Sequence, residues 1–265
     1  MDEIARYYQE HFEEADRLFS GSVQLEFARI REIIERHLPR VPARILDLAG
    51  GPGVYSSWLA SLGYEVHLLD LTPRHVVQAR HRTPAPRSAV VGDGRRLPYA
   101  GRCADAVLLL GPLYHLPERD DRLGALREAA RVARPGAPLF VAAINRFASL
   151  LDGLVRGFCD DPRFQSILRR DLEDGQHRNP TDCPDYFTTA FFHHPDELRA
   201  EILEAGLGLV DLLGVEGPGF LAKDFEARWQ DPARRAELLD LVRRVEREPT
   251  LWGLSQHLLA VARTY

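Results

Sequence analysis

Apolar side chains recur at three- and four-residue spacing through the first forty positions, and that period predicts two helices. Ile4, Tyr7, Tyr8, His11, Phe12, Ala15, Leu18 and Phe19 carry the first. After a Gly21-Ser22 break, Phe27, Ile30, Ile33, Ile34, His37 and Leu38 carry the second. From Arg44 the pattern changes to short, nearly continuous apolar runs at Arg44–Leu48, Glu65–Asp70, Ala89–Asp93, Ala104–Leu110 and Leu139–Asn145. Runs of that kind are strands buried on both faces. Their alternation with amphipathic helices predicts a parallel sheet covered on each side.

The helices between the runs carry their own punctuation. Thr72-Pro73 is a cap followed by a proline at the first helical position, and it opens a helix through Arg80. Leu123, Leu126, Ala130 and Val132 form a stripe that stops at Pro135-Gly136. His194-Pro195-Asp196 starts a helix to Ala205; a strand Leu209–Val215, a long helix from Phe225 to about Arg247 and a strand His257–Arg263 complete the chain. The stretch from Phe147 to Phe192, rich in aromatics, arginine and histidine, interrupts the alternation and reads as an insertion over the carboxyl edge of the sheet. One α/β domain is expected: a helical cap over 1–40, a ligand-binding core over 41–146, a lid over 147–192 and the rest of the core over 193–265.

Composition narrows the possibilities. Lysine plus arginine number 34 and aspartate plus glutamate 39, a formal charge of −5, which argues against a protein built to neutralise many phosphates. Lys223 is the sole lysine, a skew that fits a GC-rich genome. Three scattered cysteines, Cys103, Cys159 and Cys183, suit a reducing compartment, and no apolar run approaches the roughly 20 residues of a membrane span. The amino terminus is acidic where a secretory signal is basic, so a cytoplasmic protein is expected.

In an open α/β sheet, ligands bind beyond the carboxyl ends of the strands. Beyond the first strand, Gly50, Gly51 and Gly53 allow a tight turn and close backbone approach. A dinucleotide fingerprint needs a further glycine where this chain has Ser56, and the loop has no lysine to meet a nucleotide triphosphate. Asp70 ends the second strand, 17 residues beyond Gly53, placed to accept ribose hydroxyls; Asp93 ends the third, placed to reach an adenine amino group. An adenosine held by two carboxylates, with no pyrophosphate to neutralise, suits S-adenosylmethionine better than NAD.

The segments ILDLAGGPG, HLLDLTP, GDGRRLP, LLLGPLYHL and LREAARVARPGAPL together resemble those of class I S-adenosylmethionine-dependent methyltransferases, and the resemblance runs over essentially the whole chain. It implies a Rossmann-like seven-stranded sheet, mostly parallel with its last strand antiparallel. It also implies site roles. Asp47 and the Ala49–Gly53 loop would hold the methionine part, Asp70 the ribose and Leu71 the adenine face. Asp93 and Gly94 would take the adenine edge, and the Leu110 carbonyl would meet the cofactor amino group. Ala49 departs from the family loop, which usually has glycine there.

The acceptor is expected past the fourth strand, at Gly111-Pro112-Leu113-Tyr114-His115. Methyltransferases of nucleobases or glutamine amides often carry an acidic or amide residue there, and Gly111 argues against such substrates. His115 is the candidate base, with an ordinary imidazole pKa of about 6.5 near neutrality, or else a packing residue. Tyr186, with His177, His193 and His194, is placed to line the acceptor pocket, and Tyr186 joins His115 as a candidate catalytic side chain. The cysteines give little support to thiol or metalloid methylation. Tyr7, Tyr8 and Arg17 are expected either to fold over the cofactor, with Arg17 at its carboxylate, or to pack on the sheet. The arginine-rich stretch ARWQDPARRAELLDLVRRVERE alternates acid with base and reads as a solvated face. The expected function is methyl transfer to an oxygen or nitrogen of a small organic acceptor, without a metal, a membrane or a nucleic-acid partner. A peptide or RNA methyltransferase, a non-catalytic cofactor-binding protein and an NAD-linked oxidoreductase are the alternatives.

Overall fold

In the computed structural model, which describes residues 4, 7, 8 and 21–265, the short apolar runs become the strands of one sheet. Helix α1 (Val23–Glu35) precedes β1 (Arg44–Leu48), α2 (Val54–Ser61), β2 (Glu65–Asp70), α3 (Pro73–Arg80), β3 (Ser88–Val91), β4 (Ala106–Leu109), α4 (Arg119–Val132) and β5 (Pro138–Ile144). Two lid helices, α5 (Ala148–Arg156) and α6 (Pro162–Asp174), lead into a two-stranded hairpin, β6 (Gln176–His177) and β7 (Ala190–Phe191). Then come α7 (Pro195–Glu204), β8 (Gly208–Gly214), α8 (Phe225–Gln230), α9 (Pro232–Val245) and β9 (His257–Arg263). Ile4, Tyr7 and Tyr8 are helical and buried, and the rest of the first expected helix, with Arg17, lies outside the described residues.

The seven main strands are ordered β3-β2-β1-β4-β5-β9-β8. All pairings from β3 to β5 are parallel, and β9 runs antiparallel to both neighbours, as the resemblance implies. Strand alternation sends Leu46, Leu48, Val107 and Leu109 to one face, where they meet Leu126, Ala129, Leu198 and Ile202. Ile45, Ala106, Leu108 and Phe140 go to the other, against Ile30, Ile33, Trp58 and Leu59. Chain order reverses between β1 and β4, so their carboxyl ends open the crevice where a ligand is expected.

One expectation changes. The single helix from Phe225 to Arg247 is broken at Asp231-Pro232: proline cannot continue a helix, and the Asp231 side chain accepts from the Ala233 and Arg234 N–H groups to start a new one. The lid is built of regular elements and fixed by buried charge. Arg146 donates through Nε to the Phe192 carbonyl (2.9 Å) and pairs through Nη2 with Glu197 (2.8 Å). Arg122, stacked 3.6 Å from the centre of the Phe191 ring, pairs with Glu201 (2.7 Å), which also holds His193 at 3.2 Å.

Candidate active site

The loop after β1 turns on close backbone contacts. The Ala49 N–H donates to the Leu69 carbonyl at 2.7 Å, and the Gly51 N–H donates to Asp70 Oδ2 at 2.8 Å. A Cβ at Gly50 would stand 2.6 Å from Asp47 Oδ2, and one at Gly53 (φ +78°) 2.8 Å from the Ala79 Cβ. Both positions need glycine. Ala49 has φ +56°, a left-handed conformation strained for a residue with a Cβ.

That loop and the tips of β2, β3 and β4 enclose a first cavity. Asp47, Ala49, Gly50, Gly51, Asp70, Leu71, Asp93, Gly94 and Leu110 all line it, together with Tyr8 and His115 from the expected set. Gly53 supports the turn from behind. Asp47 is buried; its Oδ2 accepts from the Ser56 hydroxyl at 2.7 Å, and its Oδ1 has no partner among the described residues. Burial pushes its carboxyl up to about 6, the Ser56 bond acting against the shift and the Asp70 charge with it. Asp70 accepts from the Gly51 N–H, the Thr72 N–H (2.8 Å) and His75 Nδ1 (3.2 Å). With about four lone-pair sites on a carboxylate, that leaves room at Oδ2 for roughly one further donor. Asp93 is only half-buried, and Arg95 clamps it, with Nη2 at 2.7 Å. The Arg95 guanidinium holds its carboxyl below the ordinary range, and Arg95 also reaches Asp121 at 2.7 Å.

His115 is buried, and its Nε2 lies 2.9 Å from the Tyr8 hydroxyl. Burial pulls the imidazole down to about 4, against the Thr189 backbone and the Asp70 charge, so it is neutral at physiological pH. The ordinary value near 6.5 does not apply here. Tyr186 lines the cavity under the lid; its hydroxyl donates to Asp161 Oδ2 at 2.7 Å, and its ring packs 5.1 and 5.0 Å from Phe158 and Phe164. Cys159 and Cys183 pack against the same cluster. Of the other expected histidines, His177 lines the cavity under the lid, and His193 and His194 line neither cavity. His177 is held between Asp171 (2.8 Å) and the Tyr186 carbonyl (2.8 Å), His193 is tied to Glu201, and His194 heads α7 with its ring 5.4 Å from Phe147.

A second cavity lies under the lid. Tyr7, Ile144, Ala148, Phe164, Phe187 and Phe192 give it apolar and aromatic walls. Tyr8, Glu26 and Tyr114 line both cavities and form their common wall. Glu26 was not singled out from the sequence, although a signal was present: it falls on the buried face of α1 with Arg29, Ile30 and Ile33, an acidic residue at a core spacing. Glu216 and His257, also missed, bring their polar atoms within 4.8 Å of those of Glu26. Glu216 already accepts from the Ser255 hydroxyl (2.8 Å), the His257 N–H (3.0 Å) and His257 Nδ1 (2.5 Å).

The crevice at the strand tips, with Asp47 Oδ1 unpartnered among the described residues, thus lies beside a second cavity with mainly apolar walls. Residues 46–141 match the family model described as "Methyltransferase domain". The chain is 30% identical over 190 residues to a ubiquinone biosynthesis O-methyltransferase of Xanthomonas axonopodis pv. citri, covering 69% of this chain and 70% of that protein. It is 37% identical over 147 residues to a demethylmenaquinone methyltransferase of Beutenbergia cavernae, covering 55% and 56% of the two chains. Among solved structures, an S-adenosylmethionine-dependent methyltransferase from Mesorhizobium loti superposes with a TM-score of 0.60 at 17% identity, covering 90% of this chain and 99% of that one. A Methanosarcina mazei protein of the same description gives 0.59 at 17% identity, over 88% and 96%. The chain belongs to the class I S-adenosylmethionine-dependent methyltransferases and is an enzyme of that class. Among the described residues, no helix is long and apolar enough to cross a membrane.

Proposed function

We propose that the enzyme methylates an oxygen or nitrogen of a small organic acceptor held in the second cavity. The common wall of Tyr8, Glu26 and Tyr114 carries this reading, because a donor on one side and an acceptor on the other would meet there. S-adenosylmethionine supplies a methyl group activated by a cationic sulfur. The residues present fit it: the unpartnered Asp47 Oδ1 suits an ammonium group, and the remaining site on Asp70 suits a ribose hydroxyl. Leu71 would cover the adenine face, Asp93 and Gly94 its edge, and the Ala49–Gly51 turn and the Leu110 carbonyl the amino-acid tail.

Orienting two reactants is worth about 7–11 kcal/mol, so positioning can supply most of the acceleration. The apolar and aromatic walls of the second cavity would seat the carbon skeleton of such an acceptor. His115, with an imidazole near 4, is a weak proton acceptor at neutral pH; its role in this reading is to fix the Tyr8 hydroxyl at the junction. Tyr186 is a wall of the chamber with its hydroxyl committed to Asp161. A peptide or RNA acceptor is less well suited, because the described lining of the second cavity has Glu26, Asp152, Asp185 and Glu216 against a single arginine, Arg156.

The test is release of S-adenosylhomocysteine when the enzyme is offered a panel of small phenols, alcohols and amines, with a peptide library and total RNA run beside it. Turnover on the small acceptors is expected. Turnover confined to peptide or RNA would contradict the reading.

A further inference from the structure

Glu26 is the only carboxylate among the described residues that lines both cavities. It sits in the first turn of α1 and is buried. Beside it, His257 Nδ1 is 2.5 Å from Glu216 Oε1 and 3.8 Å from Glu26 Oε2, so a proton on that nitrogen is given to Glu216. Ser255 and the His257 N–H hold Glu216 in turn. Glu26 therefore borders the Glu216–His257 pair, whose shorter contact to the ring nitrogen is made by Glu216.

We propose that Glu26 receives the hydrogen of the acceptor's nucleophilic O–H or N–H at the point of methyl transfer, with Glu216 and His257 as positioning residues. This rests on the cofactor and acceptor reading given above. The lone pair of the acceptor forms the new bond to the methyl carbon, and the carbon–sulfur bonding pair stays on sulfur. The proton of the nucleophile passes to the Glu26 carboxylate, which leaves methylated acceptor, S-adenosylhomocysteine and a protonated Glu26 that returns its proton to solvent. A carboxylate in that position also attracts any cation that occupies the place of the transferred methyl group.

Sinefungin is such a probe: it is S-adenosylhomocysteine with a CH–NH3+ unit in place of sulfur, so that its ammonium occupies the methyl position. Calorimetry on the whole protein is expected to show sinefungin binding at least about tenfold tighter than S-adenosylhomocysteine, as a charge-assisted bond to Glu26 requires. In Glu26→Gln that gap is expected to close to within about threefold, with the affinity for S-adenosylhomocysteine unchanged. Equal affinity for the two ligands in the unaltered protein would overturn the proposal, and this comparison stands even if the variant fails to fold. An equal fall for both ligands in Glu26→Gln would overturn it too, because it would place the carboxylate at the amino-acid tail. Absence of S-adenosylhomocysteine binding to the unaltered protein would instead overturn the cofactor reading, and this inference with it.

Discussion

Burial pushes the Asp47 carboxyl up to about 6, so its ionised form costs the unliganded fold free energy that a cationic ligand recovers. The folded value lies above the unfolded one of about 3.9; the folded state binds the proton more tightly between those values, and stability falls as pH rises through that window. Asp47→Asn is expected to raise stability at pH 8 by on the order of 1–3 kcal/mol, with no gain below pH 4, in urea unfolding. The same variant should weaken S-adenosylhomocysteine by at least about tenfold in calorimetry. His115 works in the opposite direction. Its folded value of about 4 lies below the ordinary 6.5, so the folded state binds fewer protons in between and loses stability as pH falls through that range. Relative to the parent, His115→Gln is therefore expected to gain on the order of 1–3 kcal/mol as pH drops from 7 to 4, read from the same unfolding curves. Gly53→Ala combines a positive φ with a Cβ 2.8 Å from Ala79 and should cost on the order of 2–4 kcal/mol. The glycines and Asp70 could be picked out in the sequence because their spacing follows the strand tips, and Asp47 because the family resemblance implies it. The depressed imidazole of His115 and the Arg95 clamp on Asp93 could not, since both depend on neighbours brought in by folding.

Among elements, the lid reads in the sequence only as an insertion. Its helices α5 and α6 each carry a strong apolar face, so their period is present in the sequence, whereas the short β6–β7 hairpin of two residues per strand leaves no such signal. They are held by Arg146 and Glu197, and by the Arg122–Glu201–His193 group, whose members are up to 79 residues apart. The Asp231-Pro232 break was visible as a cap followed by proline, yet the alternating charges on either side read as one continuous face. Gly175 marks where the lid closes on itself: at φ +74°, a Cβ there would stand 2.3 Å from the Phe192 carbonyl oxygen and 2.7 Å from Arg146 Nε. Gly175→Ala is expected to speed limited proteolysis within residues 147–192 by about tenfold, the equivalent of about 1.4 kcal/mol of local opening. The lid contributes nothing to the lining of the first cavity, so S-adenosylhomocysteine affinity should stay within about threefold. A matching fall in affinity would show that the two cavities are coupled through the lid.

At the scale of the whole molecule, the chemistry follows from one topological fact. The chain reverses its strand order between β1 and β4, and the crevice this opens is bordered by Ile4, Tyr8, Glu26 and Ile30 from the amino-terminal part of the sequence. The sheet was readable because each strand is a short apolar run bounded by turn residues. The junction was not: Tyr8 and Glu26 come from the amino-terminal helices, Tyr114 from the loop after β4, and Glu216 and His257 from either side of α9. Only the folded chain brings them to one wall. The most direct measurement is a crystal structure with S-adenosylhomocysteine bound. Its sulfur is expected at the junction, between Tyr8, Glu26 and Tyr114 and open to the second cavity, with its amino group on Asp47 and its ribose on Asp70. A ligand whose sulfur faces away from that wall, or whose adenine lies against Asp47, would contradict the account.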